Sequence, residues 1–222
     1  MFTLAVQGGR LSRRPHFPKL AESQPRQGFF EHAEYLAVRR QLPPTHQDIL
    51  DFGYLSGWRR GEIEALEWRD VDRQGNVIRL RPELSKNTHG RTLVLSGPLL
   101  LVIDRRWQAR ALGCPFVFHI GGKQVGTWRR RWLSACKAAG VPGKLFHDLR
   151  RTVVRNLVRS GVPERVAMTV TGHKTRSVFD RYNVVSTGDL QDAAGRLAVY
   201  LNRTPKDAGL GQVSDNRREA PA

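Results

Sequence analysis

The chain has 222 residues, a length for one ordinary domain or two small ones, with enough material for a proper core and no need of disulfide staples. Its 37 Lys and Arg against 20 Asp and Glu leave a formal charge of +17, well beyond a solubility margin, so the expected partner is a polyanion. Nucleic acid comes first, because each phosphate met by Lys or Arg releases condensed counterions, although an RNA-binding factor or a membrane-surface protein would share this balance.

Cys114 and Cys136 are too few for a disulfide framework and lack the spacing of a zinc site. The most apolar run, Leu93 to Ile103, is broken by Gly97 and Pro98 and falls well short of the roughly 20 residues of a membrane span. No signal peptide is visible at Met1. The expectation is a cytoplasmic protein with no membrane, metal or cofactor.

In chain order, Met1 to Val6 has the look of the end of a helix, and Gly8 to Gln27, rich in Arg, Pro, Gly and Ser, reads as an extended lead-in. Phe29 to Leu42 and His46 to Leu55 carry helical apolar spacing, and a short connection through Pro43 and Pro44 would set them antiparallel. Gly61 to Trp68 continues as helix. Val77 to Leu80 and Arg91 to Leu95 have strand composition, which predicts a hairpin with Lys86 near its tip. Pro98 to Arg110 is helical, Phe116 to Phe118 is a short strand or buried turn, and Thr127 caps a helix ending near Gly140. Further helices are expected over Asp148 to Ser160, Pro163 to Thr171 with Gly172 as its stop, Arg176 to Tyr182, and Gly188 to Leu201. Thr204 to Ala222 has the composition of a disordered tail.

Three clusters could do chemistry. His147 and Arg150 stand three apart at a helix start, where free N–H groups and the dipole favour a phosphate. Arg59 and Arg60 lie at a turn after Gly57, with Glu62 one turn on to orient Arg59. Gly172 presents His173 at a bend, and Tyr182 follows nine residues later. Each has an ordinary reading when taken alone: a capping segment, a surface salt bridge worth about 0.3 to 0.5 kcal/mol, and a packed tyrosine. The run Trp128-Arg129-Arg130-Arg131-Trp132 could track a DNA backbone, but its two tryptophans share a helical face and read as core anchors with the arginines on the solvated side.

The joint order Gly57-x-Arg59-x-x-Glu62, Lys86 in a hairpin, His147-x-x-Arg150, Gly172-His173 and Tyr182 resembles the tyrosine recombinase (phage integrase) family from about Phe29 to Leu201. The resemblance implies an α+β, mostly α-helical catalytic-domain fold, a helical bundle with a small antiparallel sheet on one edge. It implies site-specific DNA cleavage and rejoining through a 3′-phosphotyrosyl intermediate on Tyr182. Arg59 and Arg150 would hold the nonbridging oxygens, His147 would be the base, Lys86 the general acid, His173 a donor to a nonbridging oxygen, and Glu62 a support for Arg59. Two guanidiniums can do electrostatically what metal ions do in a nuclease, so no metal is needed.

The implied partners are double-stranded DNA, three further copies in a homo-tetramer on two DNA sites, and accessory DNA-bending proteins. Residues 1–28 would be the remnant of an absent core-binding domain, 29–203 the catalytic domain and 204–222 the tail. A non-catalytic DNA-binding remnant and a type IB topoisomerase that relaxes DNA are the rival readings.

Overall fold

The computed structural model describes residues 2–16, 18, 28–85, 90–182 and 187–203. The expectations for Lys86 and for 204–222 fall outside these residues. Helix α1 (Phe2–Gln7) is followed by non-helical chain to residue 16, and then come α2 (His32–Arg40), α3 (Pro44–Ser56) and α4 (Arg60–Glu64). Pro44 is the first residue of α3, where a missing N–H costs nothing, so the Pro43-Pro44 pair opens that helix as well as separating it from α2. The expected helix over Gly61 to Trp68 is a correction. It stops at Glu64, because the backbone of Leu66 and Trp68 bonds instead to Val117 and Pro115 across the core (2.9 and 2.8 Å).

A three-stranded antiparallel sheet follows, β1 (Val71–Asp72), β2 (Val77–Leu80) and β3 (Arg91–Val94), in that spatial order. The β2/β3 hairpin is as expected, with Ile78 opposite Leu93 and Leu80 opposite Arg91. The sequence reading missed β1, whose two residues are too few for a period to register. Helix α5 (Gly97–Gln108), the ribbon of β4 (His119–Ile120) and β5 (Lys123–Gln124), and α6 (Arg129–Ala138) come next. Thr127 does not cap α6. Trp128 occupies that position, held there by its indole N–H donating to Glu64 Oε1 at 2.6 Å.

The remaining helices are α7 (Phe146–Arg159), α8 (Glu164–Thr171), α9 (Arg176–Asp180) and α10 (Thr187–Arg203). Helix α3 is the hub, packing on α2, α4, α5 and α7, and its Ile49, Leu50 and Phe52 are fully buried. Burial of that kind contributes about 1.5 to 3 kcal/mol per side chain. A second, smaller cluster of Val154, Ala167 and Phe179 ties α7, α8 and α9 together, with Tyr182 packed on its edge. The result is a mostly helical α+β fold with a small antiparallel sheet. Trp128 and Trp132 are buried and meet edge to face at 5.8 Å, while Arg129, Arg130 and Arg131 stay exposed, as their spacing predicts.

Candidate active site

The first arginine is placed by a helix stop. Gly57 ends α3 in the left-handed region (φ +67°), which a side chain would strain, and the chain then re-enters helix at Arg60 with Arg59 as its N-cap. Glu62 accepts from the Arg59 backbone N–H (2.9 Å) and from Arg59 Nη1 (2.8 Å). This is no surface salt bridge, since Glu62 is 3% exposed. Burial works against its charge, but the bonds from Arg91 and Arg59 prevail and hold its carboxyl below the usual range.

Arg150 points inward from α7. It is 2% exposed, donates from Nη1 to the Gly57 carbonyl oxygen at 2.8 Å, and keeps Nη2 buried with no hydrogen-bond partner. A buried unpaired donor costs about 1 to 3 kcal/mol, a penalty that a bound anion would remove. Burial first, then the nearby Arg59 and Arg91, push its pKa down to about 9, which leaves it charged at neutral pH. Arg59 and Arg150 thus converge from different elements, joined through Gly57.

Tyr182 was expected inside a helix. It lies two residues beyond the end of α9, in a turn whose Tyr182 N–H bonds to the Phe179 carbonyl oxygen at 2.8 Å. Phe179, fully buried, anchors the short helix and sets where the turn falls. The Tyr182 hydroxyl lies 2.9 Å from His147 Nε2, across 35 residues of chain. His147 stands at the rim with one side exposed. Desolvation of its ring, with Arg150 and Arg151 nearby, lowers its pKa below 6.5, so the ring is neutral and can accept a proton at neutral pH.

His173 is 8% exposed, with its ring centroid 4.7 Å from that of Tyr182. The hydroxyl of Thr171 donates its single proton to the Ala167 carbonyl oxygen (2.6 Å), so it accepts from His173 Nδ1–H (2.8 Å). The neutral ring therefore carries its lone pair at Nε2, which is buried without a partner. Burial, then Arg150 and Arg59, push the His173 pKa down to about 3. An unfolded chain would protonate this histidine near 6.5, while the folded one resists until about 3. Folding stability should accordingly fall as pH drops from 6.5 toward 3. Urea midpoints measured from pH 7 to pH 4 should decline more steeply for the native chain than for His173→Asn, and equal slopes would contradict the assignment.

The sequence reading passed over Arg91. Its side chain is 8% exposed, bonds Glu62 Oε2 at 2.5 Å and Oε1 at 3.4 Å, and lies over the Trp58 ring at 4.6 Å. The signal was present, because Arg91, Leu93 and Leu95 alternate onto one strand face and a cation among buried leucines is unusual. Arg151 holds its guanidinium 5.3 Å from the Tyr182 ring centroid with Nε and Nη1 unpartnered. Five of the six candidate positions, Arg59, His147, Arg150, His173 and Tyr182, thus belong to one cluster with Glu62 behind them; the sixth, Lys86, is outside the described residues. A pocket of about 370 Å³ lined by Trp58, Arg59, Trp132, Phe146 and His147 opens beside it. Among the described residues, no three His, Cys, Asp or Glu side chains gather as a metal site, and no helix is long and apolar enough to cross a membrane.

Residues 28–188 match the family model described as the phage integrase family. The chain belongs to that family. It is 26% identical over 162 residues to the integrase of Salmonella phage P22, covering 68% of this chain and 42% of that protein. It is 24% identical over 223 residues to prophage integrase IntR of Escherichia coli (strain K12), covering 83% and 54%. The chain spans about half the length of the curated relatives it matches. Among solved structures it resembles a lambda integrase tetramer bound to a Holliday junction (TM-score 0.66, 19% identity, 82% of this chain and 56% of that one). It also resembles the lambda integrase catalytic core (TM-score 0.56, 18% identity, 68% and 95%). At such identities the likeness speaks for the fold, that of a tyrosine recombinase catalytic domain.

Proposed function

We propose that this chain cuts and rejoins double-stranded DNA at a specific site, with Tyr182 as nucleophile and residues 29–203 as the catalytic domain. The observation that carries the reading is the 2.9 Å contact of the Tyr182 hydroxyl with His147 Nε2 beside the paired guanidiniums of Arg59 and Arg150. In-line attack by Tyr182 Oη forms the 3′-phosphotyrosyl bond and breaks the bond from phosphorus to the 5′ oxygen. His147 takes the tyrosine proton, and the two arginines hold the nonbridging oxygens as their charge rises. The energy of the broken bond stays in the phosphotyrosine, so religation needs no nucleotide cofactor.

His173 fits its role as a donor only when protonated, because its Nδ1–H already serves Thr171. A phosphate at Nε2 would favour that imidazolium, so phosphate engagement and proton uptake at His173 go together. Lys86 is the general acid for the departing 5′ oxygen. Lys86→Ala should lose at least about 100-fold in cleavage on ordinary DNA and regain most of it on a substrate with a 5′-bridging sulfur, whose leaving group needs no proton. Failure of the sulfur substrate to restore the rate would remove Lys86 from that role.

The acting assembly is a homo-tetramer over two DNA sites in the cytoplasm, assisted by DNA-bending proteins. The solved lambda integrase tetramer on a Holliday junction supports the tetrameric part of this reading. Incubation with a nicked suicide duplex tests the whole, since it should give an SDS-resistant adduct that maps to Tyr182. A chain that shifts duplex without forming adduct would be the non-catalytic DNA binder, and site-independent relaxation of plasmid would mark a topoisomerase.

A further inference from the structure

Two guanidiniums, those of Arg59 and Arg91, bond the buried carboxylate of Glu62, and that of Arg150 lies near enough to feel its charge. Their exposures differ in a way that separates their duties. Arg59 is 26% open to solvent at its side chain, whereas Arg91 is 8% open, with both Nη atoms bonded to Glu62 and its face covered by Trp58. Both Nη atoms of Arg91 are thus turned to Glu62 and its Nε is buried without a hydrogen-bond partner, so it is Arg59, the more open of the two, that can face a substrate. Arg91 also bounds the histidine turn: a Cβ on Gly172 would stand 2.5 Å from Arg91 Nη1, and Gly172 has φ +73° besides, so a side chain there would strain the backbone and displace the guanidinium.

We infer that Arg91 is a positioning residue for the phosphate clamp, neutralising Glu62 so that the charge of Arg59 remains available to DNA. The inference rests on the reading of Arg59 as a phosphate ligand. With Arg91 present, Glu62 orients Arg59 while its negative charge is met from the opposite side by a bidentate partner. Without Arg91, the buried carboxylate has Arg59 as its main counter-charge and draws that guanidinium inward, in competition with the substrate phosphate. The same guanidinium also packs the Gly172 turn, so the box that carries Arg59 and the box that carries His173 meet at one residue of the hairpin strand.

The test is charge compensation. Arg91→Met should lower single-turnover adduct formation by about 100-fold, the scale of one misplaced oxyanion donor. Adding Glu62→Gln should recover it to within about 10-fold of the native rate, because a neutral amide no longer competes for Arg59. A purely structural role predicts the opposite, a double variant as poor as Arg91→Met or worse, and that result would overturn the inference. Arg91→Lys, which can meet only one Glu62 oxygen, should lose about 10-fold and serves if Arg91→Met does not fold.

A second measurement needs no activity. The Arg59 guanidinium resonances, assigned with Arg59→Lys in nitrogen-15 spectra of the free protein, should shift in Arg91→Met or Arg91→Lys and move back in the Arg91→Met/Glu62→Gln double variant. Unchanged Arg59 resonances in the single variant would overturn the inference. If the native chain forms no adduct at all, the catalytic reading fails, and the spectra still decide the role of Arg91.

Discussion

Tyr182→Phe should reduce covalent attachment to DNA to background while leaving DNA affinity within about twofold and the fold intact. The substitution removes one oxygen. The ring, its packing on the Phe179 cluster, its tilted contact with His173 and the Arg151 guanidinium over its face can all remain. The lost contact is the 2.9 Å bond to His147, and a hydrogen bond of this kind contributes about 0.5 to 1.5 kcal/mol net to stability. Against that small cost stands the complete loss of the bond-forming atom. Native protein and variant would be compared on nicked suicide duplex by SDS gel and on intact duplex by mobility shift. Undiminished adduct in Tyr182→Phe would sink the nucleophile assignment, since a hydroxyl elsewhere would then be forming it.

The second large effect is expected at Arg150. Arg150→Lys keeps a cation but loses the planar fork, so it cannot both hold the Gly57 carbonyl and present a second N–H to a phosphate as Arg150 Nη1 and Nη2 can. Adduct formation should fall by about 100- to 1,000-fold. The stability change should be much smaller. Leaving the buried Gly57 carbonyl unpaired costs about 1 to 3 kcal/mol, but Arg150 is itself a desolvated cation near Arg59 and Arg91, and relief of that repulsion offsets part of the cost. Single-turnover rates and urea midpoints on the same samples separate the two quantities. A variant with native rate would mean that Arg150 is a buried structural arginine, and one that loses rate only in proportion to its unfolded fraction would mean the same.

Much of this arrangement was legible along the chain. The i, i+3 spacing of Arg59 and Glu62 makes their contact a local matter of one helical turn, and the same spacing brings His147 and Arg150 to one end of α7. Gly57 and Gly172 announce their helix stops because a left-handed residue is needed there whatever packs around it. The strand pair β2/β3 was readable from alternation, and so was the buried pairing of Trp128 with Trp132. The order of boxes, rather than any one of them, carried the family resemblance.

Other features have no local cause. The helix from Arg60 stops at Glu64 because Leu66 and Trp68 find backbone partners some 50 residues away, and no propensity in that segment foretells it. Tyr182 leaves its helix because Phe179 is anchored between α7 and α8, which fixes where the short helix must end. Arg91 gains its role only where Glu62, Trp58 and Gly172, from three other parts of the chain, close around it.

The sequence by itself determined most of the helices, the β2/β3 hairpin, the glycine stops at Gly57 and Gly172, and most of the residues able to handle a phosphodiester, since these depend on spacing and side-chain chemistry within a few residues. Only the tertiary structure decided the protonation states of His147 and His173, the burial of Arg150 against Gly57, and the meeting of Tyr182 with His147. Desolvation and charge–charge coupling act through space. Residues 35 to 93 positions apart along the chain therefore set one another's chemistry only once the helices have packed.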